Sequence, residues 1–231
     1  MNAREAMLGD IRRALGRQGP VDAATRATLE ARLKDPKANL VPKRGQVRGR
    51  DKIEAFVAMA EFALASLARV RSAGDVPGAV ADYLKGQNLP PRLRMAPDKK
   101  LDAYPWASKP LLQIARGKPD PSDEVGLTGA FAGIAETGTL MLLSGPESPS
   151  TLNFLPETHV VVVRAEEILG SYEDGWARLR QVAGKLPRTV NFITGPSRSG
   201  DIEQTLQLGA HGPRRLHIVL VDDGADAGTE R

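Results

Sequence analysis

Residues 135–164 read AETGTLMLLSGPESPSTLNFLPETHVVVVR. Two apolar runs, residues 140–143 and 160–163, bracket a stretch crowded with Gly, Ser, Thr and Pro. Apolar runs without alternation are the mark of strands buried on both faces, as in a parallel sheet. A plain connection between such strands takes only a few residues. This one is longer, so it is either a binding loop or a structural crossover. Pro146, Pro149 and Pro156 stiffen its path into the second strand.

Further along the chain, residues 190–193, with Asn191 among apolar residues, and residues 218–221 read as two more buried strands. The segment AEEILGSYEDGWARLRQVAG between the second and third runs predicts a helix with Ile168, Leu169, Trp176, Leu179 and Val182 facing inward. Upstream, Asp51 suits an N-cap. It precedes an apolar stripe of Ile53, Phe56, Val57, Ala60, Leu64 and Leu67, which predicts one continuous helix. RVRSA, PRLRMAP and LLQIARG read as strands and DVPGAVADYLKGQ as a helix. Helix–strand alternation of this kind implies an α/β fold with a mainly parallel sheet flanked by helices.

Ahead of this domain, Met7, Leu8, Ile11 and Leu15 recur at helical spacing, with Arg12, Arg13 and Arg17 mostly on other faces. Such a helix either packs on the main domain or docks a partner. ATRATLEARLK predicts a second short helix. Residues 37–50 hold five basic residues and no acid, and are read as a solvated loop or an anion or partner contact. The expected organisation is a helical extension with a basic loop over residues 1–50, an α/β domain over residues 51–222, and a frayed tail over residues 223–231.

The chain of 231 residues is 41% hydrophobic but only 4% aromatic, so aliphatic side chains must fill its core. It has no cysteine. Disulfides, thiol nucleophiles, cysteine zinc sites and iron–sulfur clusters on its own thiolates are therefore excluded. A net charge of +4 from 32 basic and 28 acidic residues describes a mixed surface, and argues against nucleic acid. No apolar run approaches the ~20 residues of a membrane span. The N-terminus lacks the apolar core of a signal peptide. A cytoplasmic location is the expectation.

Three polar, glycine-bearing stretches flank the strands. They are expected to gather at one edge, beyond the strands' carboxyl ends, where open α/β sheets bind ligands. In GAFAGIAETGTL, residues 129–140, Glu136 stands beside Thr137, Gly138 and Thr139. Its carboxylate could serve as base or nucleophile, or hold the turn by accepting hydrogen bonds. In TGPSRSGDIEQTL, residues 194–206, Gly195, Ser197, Arg198 and Ser199 could form an anion-binding nest with Arg198 as the charged anchor. The same residues also suit an ordinary strand-to-helix turn with Asp201 as cap. His211, in LGAHGPRRL, is the histidine least explained by packing; His159 and His217 lie in strands and read as structural. No metal site is expected from three scattered histidines.

The ordered set AETGT, LPETHVVVV, GPSRSGDIE and GAHGP resembles the LUD-domain family over roughly residues 51–222, and MLGDIRRALGR resembles that family's opening helix. The resemblance implies a fold similar to NagB/RpiA/CoA-transferase-like proteins. It also implies a part in bacterial L-lactate oxidation to pyruvate, with cysteine-rich iron–sulfur partner proteins carrying the clusters. By fold analogy, CoA-transferases use a glutamate in a glycine-containing loop, and Glu136 in AETG has a comparable setting. The competing expectations are a stand-alone enzyme or binding protein for a phosphorylated, CoA-linked or nucleotide molecule, and a structural adaptor.

Overall fold

The computed structural model describes residues 2–17, 19–182, 184, 186–199 and 207–224. The chain divides into two compact units, Met1–Leu40 and Val41–Arg231. The first contains helices α1 (Ala3–Ala14) and α2 (Ala23–Lys34), capped by Asn2 and Asp22, and neither buries a residue. The basic stretch assigned by sequence to the N-terminal extension is split by this boundary. From Val41 it belongs to the larger unit, where Gly45 is buried.

The larger unit opens with α3 (Asp51–Phe62), β1 (Ser66–Val70), α4 (Val76–Gly86), β2 (Arg92–Met95), the short α5 (Lys99–Asp102), β3 (Gln113–Arg116) and β4 (Val125–Gly129). It continues with β5 (Ala132–Ile134), β6 (Thr139–Leu143), β7 (Thr158–Arg164), β8 (Ile168–Leu169) and α6 (Tyr172–Val182). The last elements are β9 (Val190–Ile193), β10 (Arg198–Ser199), β11 (Gln207–Leu208) and β12 (Arg215–Val221).

Six strands form a wholly parallel sheet in the order β1-β12-β7-β4-β2-β3. Along β7, Val160 and Val162 pack with Val219, Val221 and the α4 residues Val76, Val80 and Leu84. Val161 and Val163 point the other way, to Ile218, Leu220 and the α3 residues Ile53, Phe56 and Ala60. Both faces are thus covered, which accounts for the unbroken apolar runs of β7 and β12.

The other two runs have a different place. Residues 140–143 and 190–193 lie in a second sheet, β8-β5-β6-β9, in which β6 is antiparallel to both β5 and β9. Leu140 and Leu142 face the α3 layer, while Met141 packs with Ala132 and Leu179 of α6. β9 is an edge strand and only half-buried along its length. The passage from β4 to its parallel neighbour β7 therefore runs through a β5–β6 hairpin, not through a helix.

Three boundaries differ from those read in the sequence. Ile168 and Leu169 form β8 and not the start of a helix, because Ser171 begins the helical turn of α6 with its N–H and hydroxyl both on Asp174. The expected helical stripe through Leu67 stops at Phe62. There Leu64 turns left-handed at φ 69°, and Ala65 N–H donates to the Ala60 carbonyl at 3.0 Å while Leu64 N–H donates to Glu61 at 2.8 Å. That is a Schellman stop with leucine where glycine is usual. The first strand consequently starts at Ser66, ahead of RVRSA.

The long crossover is partly structural. Leu152 is fully buried among the α4-side core residues, and its carbonyl stands 2.9 Å from where a Cβ at Gly126 would be. Only glycine at that position lets the 3-10 turn Ser150–Asn153 rest on β4.

Phe56 joins the two sheets. It is fully buried against Gly133 of β5, where a Cβ would stand only 2.9 Å from its ring. Phe56→Ala is expected to lower unfolding free energy by about 3–5 kcal/mol, measured by urea denaturation. Leu64→Gly is expected to be neutral or stabilising by up to about 1 kcal/mol, because it relieves a left-handed leucine; a clear loss of stability would count against the strain reading.

Candidate functional site

Glu136 sits in the β5–β6 turn, and its N–H donates to the Gly170 carbonyl at 2.9 Å. Its carboxylate is buried, with only 7% of the residue exposed. One oxygen lies 3.9 Å from the guanidinium of the exposed Arg44. The other lies 3.0 Å from where a Cβ at Gly45 would be. The loop that carries Arg44 thus closes over the carboxylate, and glycine at position 45 is what lets it come so near.

Thr137 and Thr139 enter a hydroxyl cluster. Thr137 Oγ1 is 2.6 Å from Thr139 Oγ1 and 2.8 Å from the Tyr172 hydroxyl. Thr139 Oγ1 also bonds Tyr172 at 2.9 Å and Thr194 at 2.5 Å. Gly138, at φ 66°, makes the turn against the backbone of Ala60, which any side chain there would strike. Thr139 is fully buried while Thr194 is exposed, so the hydroxyls lead from the surface inward.

Beyond Thr194 the chain turns at Gly195, φ 70°, against the Ala63 carbonyl. Ser197 then fastens the loop. Its N–H donates to Pro213, its carbonyl accepts from Gly209 at 2.9 Å, and its Oγ accepts from His211 N–H at 3.3 Å. Gly195, Ser197 and the exposed His211 line one cavity of about 240 Å³. Its wall is completed by Asn153, His159 and apolar side chains such as Phe192 and Leu216.

The sequence-selected residues thus fall into groups. Gly195, Ser197 and His211 share the cavity, and the hydroxyl cluster reaches it through Thr194. Glu136, Thr137 and Gly138 are not among its lining residues. Neither is Arg198, which stands exposed at the start of the two-stranded β10–β11 ribbon, nor Ser199, which is buried. The proposed cap Asp201 lies outside the described residues.

The cavity is also not at the expected edge. It adjoins His159 and Leu216, each one residue past the start of β7 or β12. That is the amino end of the parallel sheet. The cause is topological: β9 belongs to the second sheet, so the loop leaving its carboxyl end is not delivered to the carboxyl edge of the first.

Two histidines are buried: His159 lines the cavity, and His217 borders a separate pocket beside Tyr83. His159 Nε2 is 2.7 Å from Thr128 Oγ1, while Nδ1 has no partner. Burial without a compensating charge holds its pKa down at about 3. His217 stacks on Tyr83 at 3.8 Å and meets Ser66 Oγ at 2.9 Å, and burial lowers its pKa to about 4. Among the described residues no three of His, Cys, Asp or Glu gather to hold a metal ion. None of their helices is long and apolar enough to cross a membrane.

Asn153, Thr128 and Tyr172 were not singled out by sequence. Tyr172 carried little signal, because the sequence places it inside a longer helix and not at the start of α6. Asn153, between two apolar residues in a loop, carried little.

The LUD domain profile matches residues 53–221. The chain belongs to the LUD domain family. An uncharacterised protein of Neisseria meningitidis serogroup B is 40% identical over 98 residues, 42% of each chain. Proteins called lactate utilization protein C are also similar: that of Geobacillus sp. strain WCH70 is 32% identical over 132 residues, 55% of this chain and 53% of its own. That of Shouchella clausii is 33% identical over 102 residues, 43% and 44% of the two chains. The matched stretches thus span about half the length of these relatives. A duf162 family protein of Deinococcus radiodurans, solved as a crystal structure, shares the fold with TM-score 0.56 and 23% identity, over 76% of this LUD chain and 99% of its own.

The histidines make a pH prediction. Both fold with neutral rings, whereas in the unfolded LUD chain they take protons near the ordinary 6.5. Below that pH the unfolded state binds protons that the folded state refuses, so stability falls on acidification. The loss runs from about pH 6.5 down to about 4 for His217 and about 3 for His159. Each should contribute roughly 1 kcal/mol per pH unit. His217→Phe, which keeps a ring against Tyr83, is expected to remove one such slope in denaturation curves taken between pH 6.5 and 4.

Proposed function

We propose that this LUD protein is a cytoplasmic subunit of an L-lactate utilisation system that oxidises L-lactate to pyruvate together with iron–sulfur partner proteins. The observation that carries this reading is the LUD match over residues 53–221, joined to relatives called lactate utilization protein C. The chain has no cysteine and holds no cluster on its own thiolates, so in this reading the clusters that would accept the electrons of lactate sit in the partners.

Within the chain, Glu136 is the reactive carboxylate in this proposal. It is buried, it faces a guanidinium across 3.9 Å, and the adjoining hydroxyl cluster offers donors and acceptors. A carboxylate so placed can accept a proton from a bound hydroxyl group. The Arg44 pairing is long and half in solvent, so it contributes little to stability.

The test is genetic and biochemical. Deletion of the gene is expected to abolish growth on L-lactate as sole carbon source and to leave growth on pyruvate intact. Affinity capture of the tagged chain should bring down cysteine-rich proteins with iron–sulfur absorbance. Glu136→Gln should fold with a melting temperature within a few degrees of the parent and fail to restore growth on lactate. Growth on lactate without the gene, or lactate oxidation by the purified chain alone, would overturn the subunit reading.

A further inference from the structure

The cavity beside β7 contains a mismatch between burial and hydrogen bonding. Asn153 is 1% exposed and His159 is 0% exposed, yet Asn153 Oδ1 and His159 Nδ1 have no hydrogen-bond partner. Both residues line the same space of about 240 Å³. A buried polar atom left unpaired carries the full cost of its desolvation, and native proteins rarely leave one so. His159 is already tied to Thr128 through Nε2 at 2.7 Å.

The chemistry of the wall defines what would satisfy them. Among the described residues no Arg, Lys, Asp or Glu lines the cavity. His159 is uncharged across the physiological range, since burial holds its pKa at about 3. A carboxylate or phosphate would be desolvated there without a permanent cation and would face a carboxamide oxygen, a costly placement. A wholly apolar guest would leave both polar atoms unpaired. What remains is an uncharged molecule with a donor for Asn153 Oδ1, a donor or acceptor for His159 Nδ1 according to the ring's tautomer, and a short apolar part. Phe192, Ile193 and Leu216 supply the apolar contact, and Ser197 with His211 forms the polar side.

We propose that the cavity bounded by Asn153, His159 and Ser197 is a binding site for a small uncharged molecule of the amide or alcohol class, with its polar end on Asn153 and the His159 ring. This assignment goes beyond the lactate-system role and does not depend on it. It also replaces the anion expected at Gly195, Ser197 and His211, because Arg198 does not line the space.

Three probes of nearly equal size separate the possibilities: propionamide, 1-propanol and propionate. The full chain, labelled with 15N in its histidines, is titrated at pH 7 while the ring nitrogens of His159 are followed by NMR. Propionamide is expected to shift Nδ1 saturably, 1-propanol to do so more weakly, and propionate to leave it unmoved. Crystals soaked in propionamide should show it in contact with Asn153. Asn153→Leu should fold, and should weaken propionamide binding by roughly tenfold or more, the value of one or two lost hydrogen bonds. Asn153→Ala, which removes the same acceptor without added bulk, should show the same loss and serves if the leucine variant does not fold. Tighter binding of propionate than of propionamide, no saturable response to any probe, ordered water alone in the soaked cavity, or unchanged affinity in the Asn153 variants would each overturn the proposal.

Discussion

Everything in the larger unit is arranged around β7 having no polar face. Val160 to Val163 alternate between two hydrophobic layers, and all four are nearly inaccessible. A strand of this kind is stable only when both sides are covered, each valine contributing about 1.5–3 kcal/mol on burial. One side is met by α4. The other needs more than α3 can offer, and the second sheet supplies it through Leu140, Leu142 and Ile168. The hairpin that carries Glu136 exists for this reason, and α6 then closes its outer face through Leu179 and Met141. The position of Glu136 is in this sense a by-product of core packing.

The same requirement explains which features could be read in the sequence. Apolar runs report burial on two faces, so all four principal strands were legible. They do not report which partner a strand pairs with, so β6 and β9 could not be distinguished from β7 and β12. The half-buried state of β9 shows how weak that signal is. The start of α3 was legible to within one residue, although Asp51 is its first helical residue and Arg50 stands at the cap without a side-chain bond; its end was not, because at Leu64 the chain makes a glycine-type stop without a glycine. Near the candidate site, Gly195, Ser197 and His211 stood out because turn chemistry is local in sequence. His159 did not, because what distinguishes it is Thr128, 31 residues away, and a nitrogen with nothing to bond. Neither leaves a mark in the sequence.

Two polar settings coexist a short distance apart in the chain. Around Glu136 the polar groups are paired: hydroxyl to hydroxyl among Thr137, Thr139 and Tyr172, and carboxylate toward Arg44. Around His159, Nδ1 of the ring and Oδ1 of Asn153 are not. Paired buried groups rigidify a region and fix one arrangement. Unpaired ones leave free energy to be recovered on binding. Thr194 belongs to both, bonded to Thr139 and lining the cavity. A guest in the cavity and a change at the hairpin would therefore act on one shared hydroxyl.

The strand order has a consequence for how the chain is made. β1 is the first strand of the parallel sheet and pairs only with β12, the last. Ser66 Oγ and the Leu216 carbonyl that meet across them are 150 residues apart. On the ribosome β1 therefore waits, with its edge open, until β12 has been synthesised. Pairing over such a separation pays its loop-closure entropy before any contact rewards it, and an unpaired strand edge is a hazard while it lasts. The charges beside β1 suit that interval. Arg69 within it is bonded to Glu54 and Asp222 in the finished fold, and before β12 arrives it leaves a cation on an otherwise sticky edge.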